Sequence, residues 1–187
     1  ATFGYVVITT FGNTVAATRT IERVRAMHER VSGTTPDGRP YRAMDPVLIG
    51  WVHTAIPWAI MSAYDRYRRP LRVEEKNRYL AEQAVIGRMG GAGDIPTTVS
   101  ELDQYIETMR PQLAVNEQTV EFLDFLIGAV EGPARVNRFE QILRRLSLHA
   151  SMSLMPDWAR KLTGLDHGEV AQRLYFDPTT RFNMALL

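Results

Sequence analysis

The sequence predicts an all-α fold, a single-domain helical bundle of about eight helices around a buried central helix. Three observations carry that prediction. Helix-capping residues recur ahead of apolar stripes with a 3.6-residue period, at Asn13 or Thr14, Asp45, Thr98 and Asn116. Only one run, Thr2 to Phe11 (TFGYVVITTF), has the β-branched and aromatic content of a strand, and no second run exists to pair with it. The longest apolar segment, Val47 to Tyr64, contains Gly50, His53, Thr54, Pro57 and Ser62, which suits a core helix better than a membrane span.

Bulk properties agree with one soluble globular domain spanning the chain. It has 187 residues, of which 45% are hydrophobic and 23% charged, enough apolar side chains for a sizeable core. With 22 basic and 21 acidic side chains the formal charge is +1, so no electrostatic footprint argues for nucleic acid or an anionic membrane surface. The absence of cysteine removes disulfides, iron–sulfur clusters, thiolate haem ligation and cysteine nucleophiles together. No signal-peptide pattern precedes the first element, and a cytoplasmic location is expected. Oligomeric state is not readable from these residues.

The elements follow in order. The run from Thr2 to Phe11 is predicted as a helix, and Gly12 and Asn13 interrupt it. The next helix is capped by Asn13 or Thr14 and expected to end near Val31, with Gly33 placed as a left-handed closing residue. Pro36, Asp37 and Gly38 give the following loop its turn chemistry. Asp45 and Pro46 start the central helix, where a proline's missing donor costs nothing. Pro57, inside that helix, cannot donate to the carbonyl four residues earlier, which belongs to His53. Arg66, Arg68, Arg69 and Arg72 close the helix, as cations that complement its dipole or as receivers of a carboxylate.

A third helix runs from Glu74 to about Met89, and the glycine-rich run Gly87 to Gly93 after it reads as a loop. A phosphate cradle would need a preceding strand and a following lysine-threonine pair, which this run lacks. Thr98 and Glu101 make a capping box for a helix with Leu102, Tyr105, Ile106 and Met109 on one face, ended by Pro111. Asn116 caps a further helix carrying Val120, Leu123, Leu126 and Ile127. A long helix from about Arg135 to Leu154 places Phe139, Ile142, Leu146 and His149 on one side. Pro156 opens a short helix closed by Gly164, and Asp166 caps the last one, with His167 in its first turn.

Histidines on apolar stripes are the candidate site. Ala17, Ile21, Val24, His28 and Val31 form one stripe, and Ile49, His53, Ile56 and Ile60 form another in the next helix but for one turn. An imidazole in an apolar setting needs a hydrogen-bond partner or a metal, because an unsatisfied one costs on the order of 1–3 kcal/mol. A core histidine bonded to a carbonyl satisfies the same need without any ligand, and His149 is read that way. No H-E-x-x-H, paired E-x-x-H or G-x-S-x-G occurs, so zinc hydrolysis, ferritin-like di-iron chemistry and serine hydrolysis lack their spacing.

The runs VRAMHERVSG, DGRPYRAMDP and WVHTA resemble the family that includes the latex-clearing rubber oxygenases and the MpaB-type oxygenase of mycophenolic acid biosynthesis. RPL at 69 to 71, IPTT at 95 to 98, ELDQYIETMRP and LMPDWARKLTGL extend the resemblance through most of the chain. It implies a haem b-dependent oxygenase that activates dioxygen for oxidative attack on an apolar, isoprenoid-like substrate. The carried-over iron ligand is His28, with Arg23 and Arg25 beside it as cofactor-binding residues, and His53 is a candidate catalytic residue, either on the distal side or supporting the ligand from behind. Thr2 matches the threonine of an R-x-x-x-T arrangement on the open side of the haem. The arginine of that arrangement falls before Ala1, Ala1 occupies the position of a lysine, and a glutamate base has no counterpart. Against the family the chain looks truncated at its N-terminus. The alternative is a non-catalytic helical domain that binds an apolar small molecule or protein partner without haem.

Overall fold

The computed structural model describes residues 2–35, 38–131 and 150–164, without the side chains of 2, 3, 124 and 126–131. The fold is mostly α-helical, as the capping pattern predicts. Its contacts divide the chain into two compact units, residues 1–61 with 71–109, and residues 62–70 with 110–187.

The first unit begins with α1 (Thr2–Phe11), helical despite its β-branched sequence. Local propensity loses here because a lone strand would leave its backbone unpaired, whereas a helix satisfies itself and packs on α2 (Thr14–His28). Asn13 caps α2, its Oδ1 accepting from the Ala16 amide at 2.9 Å. Helix α2 ends three residues earlier than the expected Val31, and Gly33 is not its closing residue. Instead Gly33 lies in a two-stranded antiparallel hairpin, β1 (Ser32–Thr34) with β2 (Pro40–Arg42), opposite Tyr41. The Tyr41 ring lies so close that a Cβ on Gly33 would come within 2.8 Å of it. Gly38, at φ 85°, makes the turn that returns the chain.

Asp45 caps α3 (Pro46–Ala63), its Oδ1 accepting from the Val47 amide at 2.8 Å. Burial of α3 is confined to one stripe, Ile49, Gly50, Thr54, Pro57 and Met61, while Val47, Leu48, Val52 and Ile60 are exposed. The central helix is therefore buried along one side and not all round. Among the described residues, Pro46–Arg68 is the helix long and apolar enough to cross a membrane by length and composition.

Helix α4 (Val73–Gly90) packs on α2 and α5 (Val99–Met109). It corrects the loop reading of the glycine run in part, since Gly87 and Gly90 are helical, while Gly91, at φ 101°, terminates the helix and Gly91 to Gly93 lie outside it. Thr98 caps α5, and the Glu101 carboxylate reaches back to the amide and hydroxyl of Thr97. Asn77 on α4 accepts from the Val99 amide at 2.8 Å, tying the two helices together. Ile21, Leu80, Ala84, Leu102 and Ile106 are core residues of this unit.

In the second unit a π-helical turn, Tyr64–Arg68, precedes Pro70. Arg66 donates to the Ser153 carbonyl at 2.9 Å, and the Tyr67 hydroxyl bonds Ser153 and the Ala150 carbonyl. Asn116 caps α6 (Glu117–Glu131) through the Thr119 amide. Residues 150–154 are helical, and α7 (Asp157–Thr163) is closed by Gly164 at φ 71°. The buried Arg160 pairs with Asp157 and donates to the Met155 carbonyl, and Arg110 lies 5.2 Å from the centre of the Trp158 ring. The remainder of the expected helix from Arg135, with Phe139, Ile142, Leu146 and His149, lies outside the described residues, as do Asp166 and His167.

Candidate functional site

Four helices of the first unit, α1 to α4, enclose a cavity of about 360 Å³, open on one side. Its wall is mainly Val24, Met27, Val52, Ile56, Ile60 and Ile86, with six polar side chains among them: Tyr5, Thr9, Thr10, His28, His53 and Gln83. Among the described residues, no lysine, arginine, aspartate or glutamate lines it. A smaller cavity of about 130 Å³ adjoins, and Tyr5, Val24, His28, Val52 and His53 line both. The two histidines and Tyr5 thus stand in the partition between the chambers.

Each partition residue is held there by its helix. Ile21, at the centre of the α2 stripe, is 2% exposed and fixes the face on which Val24 and His28 follow. Val31 is exposed and belongs to the turn after α2, so the stripe ends at His28. His53 projects from α3 into a slot made by two glycines of α4. A Cβ on Gly87 would lie 3.0 Å from the His53 Cβ, and one on Gly90 would lie 3.1 Å from its Nε2. On its other side the Tyr5 ring meets the imidazole edge to face, with centroids 5.9 Å apart. No ring nitrogen of His28 or His53 has a hydrogen-bond partner among the described residues. The structural explanation of a core histidine, a nitrogen bonded to a carbonyl, therefore does not hold for either within that set.

Burial pushes the His53 pKa below the ordinary histidine value, and the nearby His28 adds to the shift, so His53 is neutral at pH 7. Burial also raises the Tyr5 hydroxyl above its usual value and keeps it protonated. His53 and Tyr5 are thus uncharged, in keeping with the apolar walls around them.

The expected site residues separate. His28 and His53 come together. Arg25 lines the smaller cavity and donates to the Met89 carbonyl at 3.0 Å, which ties α2 to the end of α4. Arg23 is exposed and lines neither chamber. Thr2 opens α1, and its side chain lies outside those described. Reading the sequence missed Tyr5, Thr9, Gln83 and the glycine slot. The available signals were Tyr5 and Thr9 at an i, i+4 spacing in an otherwise apolar helix, and Gly87 with Gly90 at i, i+3.

Among the described residues no three histidine, aspartate or glutamate side chains converge, so an ion chelated by protein groups alone lacks its ligands there. One imidazole in an apolar wall is what a haem iron needs, and Arg25 offers a cation at the edge for a carboxylate. The chamber's volume falls at the lower end of the range of small-molecule sites, about 300–1,000 Å³, but its open side leaves room beyond the enclosed part.

Residues 1–185 match the model of the family described as ER-bound oxygenase mpaB/B'/Rubber oxygenase, catalytic domain. No curated protein and no solved structure matches the chain.

Proposed function

This chain belongs to the MpaB and rubber oxygenase catalytic-domain family, and from that premise we propose that it is a haem b-dependent oxygenase acting on an apolar, isoprenoid-like substrate. The family is that of an oxygenase domain and implies dioxygen and a substrate. The observation that carries the finer reading is the chamber itself. Two imidazoles without hydrogen-bond partners among the described residues line a largely apolar cavity, in which no described lining residue is a lysine, arginine, aspartate or glutamate.

When bound, haem supplies the redox chemistry with dioxygen that no side chain of this chamber provides. His28 would hold the iron through one neutral ring nitrogen, with the last turn of α2 fixing the ring. Arg25 would receive a carboxylate of the group. His53, neutral and wedged against Gly87 and Gly90, presents a ring nitrogen to the shared partition, where it can donate or accept one hydrogen bond. The valine, isoleucine and methionine walls exclude water and take up an apolar chain by burial, worth about 25 cal/mol per Å² of apolar surface removed from water.

A visible spectrum tests this reading. Protein produced with a haem supply is expected to show a Soret band, which His28→Ala abolishes and His53→Ala retains with altered shape or ligand access. Equal loss in both variants would instead indicate ligation by both histidines. A colourless, folded parent protein that binds apolar molecules would replace the oxygenase with the haem-free binding domain.

A further inference from the structure

The chamber carries information about its ligand beyond being apolar. Among the described residues no lysine, arginine, aspartate or glutamate lines the larger cavity, so an ionised ligand entering there would lose its hydration without such a counter-charge. The polar groups that are present are hydroxyls, an amide and imidazoles. Thr9 already uses its proton, donating to the Tyr5 carbonyl at 2.9 Å. Tyr5 is different. Its ring is held edge to face against His53, and its hydroxyl has no hydrogen-bond partner among the described residues. That hydroxyl is also not among the sealed, unsatisfied polar atoms, so it opens onto cavity space or solvent. An aromatic hydroxyl fixed by ring packing and left open at the wall shared by two cavities is a donor of defined position.

We propose that the Tyr5 hydroxyl donates a hydrogen bond to an uncharged oxygen, a ketone or aldehyde carbonyl, of an otherwise apolar molecule in the larger chamber. This deepens the proposed function by naming the polar feature of the substrate. It rests on that reading only in taking the chamber for the substrate's, and it does not require haem. In the protein without haem, the chamber's volume of about 360 Å³ sets the size of the ligand. On the scale in which a cavity of about 150 Å³ holds one benzene, it takes roughly two such rings.

Benzophenone and diphenylmethane are matched probes of that size that differ in one carbonyl oxygen. Their affinities are measured by calorimetry on the purified full chain and on Tyr5→Phe, which keeps the ring and deletes the hydroxyl. The wild type is expected to prefer benzophenone by about two- to tenfold, the effect of one neutral hydrogen bond. Tyr5→Phe should erase the preference and leave diphenylmethane affinity unchanged, whereas a Tyr5 that merely packs would leave both unchanged. The proposal is overturned if the wild type shows no preference, if the preference survives in Tyr5→Phe, or if neither probe binds. Should Tyr5→Phe lose its helical circular dichroism, carbonyl-labelled benzophenone bound to the wild type decides. A downfield carbon shift with a nuclear Overhauser contact to the Tyr5 ring supports the donor, and absence of either overturns it. A protein without a Soret band that still shows the ketone preference would fail the oxygenase reading alone.

Discussion

His53 sits between a tyrosine ring and the backbone of two glycines, and that environment has consequences for stability. Burial first, and His28 second, hold its folded pKa below the ordinary value of about 6.5. Between the two values the unfolded chain binds more protons than the folded one, so stability rises with pH there. The contribution is fully present above about pH 6.5 and is lost as pH falls toward the folded value. Denaturant midpoints at pH 7.5 and 5.5 should therefore differ in the wild type, with a smaller gap in His53→Gln; an unchanged gap would count against the half-buried, neutral imidazole. The glycines give a second residue-scale prediction. Alanine improves an interior helix position by about 1 kcal/mol over glycine. At Gly87 a Cβ would come within 2.1 Å of the Ile95 Cδ1 and 3.0 Å of the His53 Cβ. Overpacking of that kind costs typically 1–3 kcal/mol, so Gly87→Ala should lower the thermal midpoint. At Gly90 the nearest atom is a ring nitrogen at 3.1 Å, which a small rotation relieves. Gly90→Ala should leave the midpoint nearly unchanged while shifting the His53 ring resonances in a nuclear magnetic resonance spectrum.

Helix starts were the most legible feature of this chain because a cap is a local event. Asn13, Asp45, Thr98 and Asn116 each accept from an amide two or three residues on, as their spacing predicts. Asn13→Ala and Asn116→Ala should each cost about 1 kcal/mol in chemical denaturation, and a cost near zero would show that the caps follow tertiary packing rather than set it. Helix ends were less legible. The end of α2 was misplaced because the pairing of β1 with β2 across Gly33 and Tyr41 joins residues from either side of a turn, and no local pattern reports it. The glycine run from Gly87 to Gly93 looked like a loop because glycine is a poor helix former in isolation, yet Gly87 and Gly90 are helical where a histidine from α3 needs the space. In α3 the sequence is apolar on every face, so periodicity held no information about which stripe is buried. His28 was legible as a stripe member of α2, whereas the stripe Ile49, His53, Ile56 and Ile60 read in α3 is not the buried one, since Ile60 is exposed and His53 and Ile56 are half-buried. The meeting of the two histidines with Tyr5 depends on how α1 packs on α2, which sequence spacing does not encode.

At the scale of the whole molecule the division into two units limits where a ligand can act. The proposed chamber draws every lining residue from α1 to α4, all in the first unit. Binding to the folded state stabilises it by an amount set by ligand concentration over Kd, roughly 2.7 kcal/mol at a hundredfold excess over Kd. That gain is felt first by the segments the ligand touches, since local opening of those segments must release it. Hydrogen exchange of the haem-loaded protein against the haem-free protein should therefore show added protection over Tyr5–Thr10, Val24–His28, Val52–Ile60 and Gln83–Ile86. Amides of α6 and α7 should change little, because their capping and side-chain bonds lie within the second unit. Protection centred on the π-helical turn or α7 would move the binding site away from His28. It would then favour Arg66, Arg68 and Arg69 of the second unit, of which Arg66 is already engaged by the Ser153 carbonyl. Equal protection everywhere would mean that the two units open together as one cooperative domain, and the exchange pattern would no longer locate the ligand. In that case the His28→Ala spectrum would have to locate it instead.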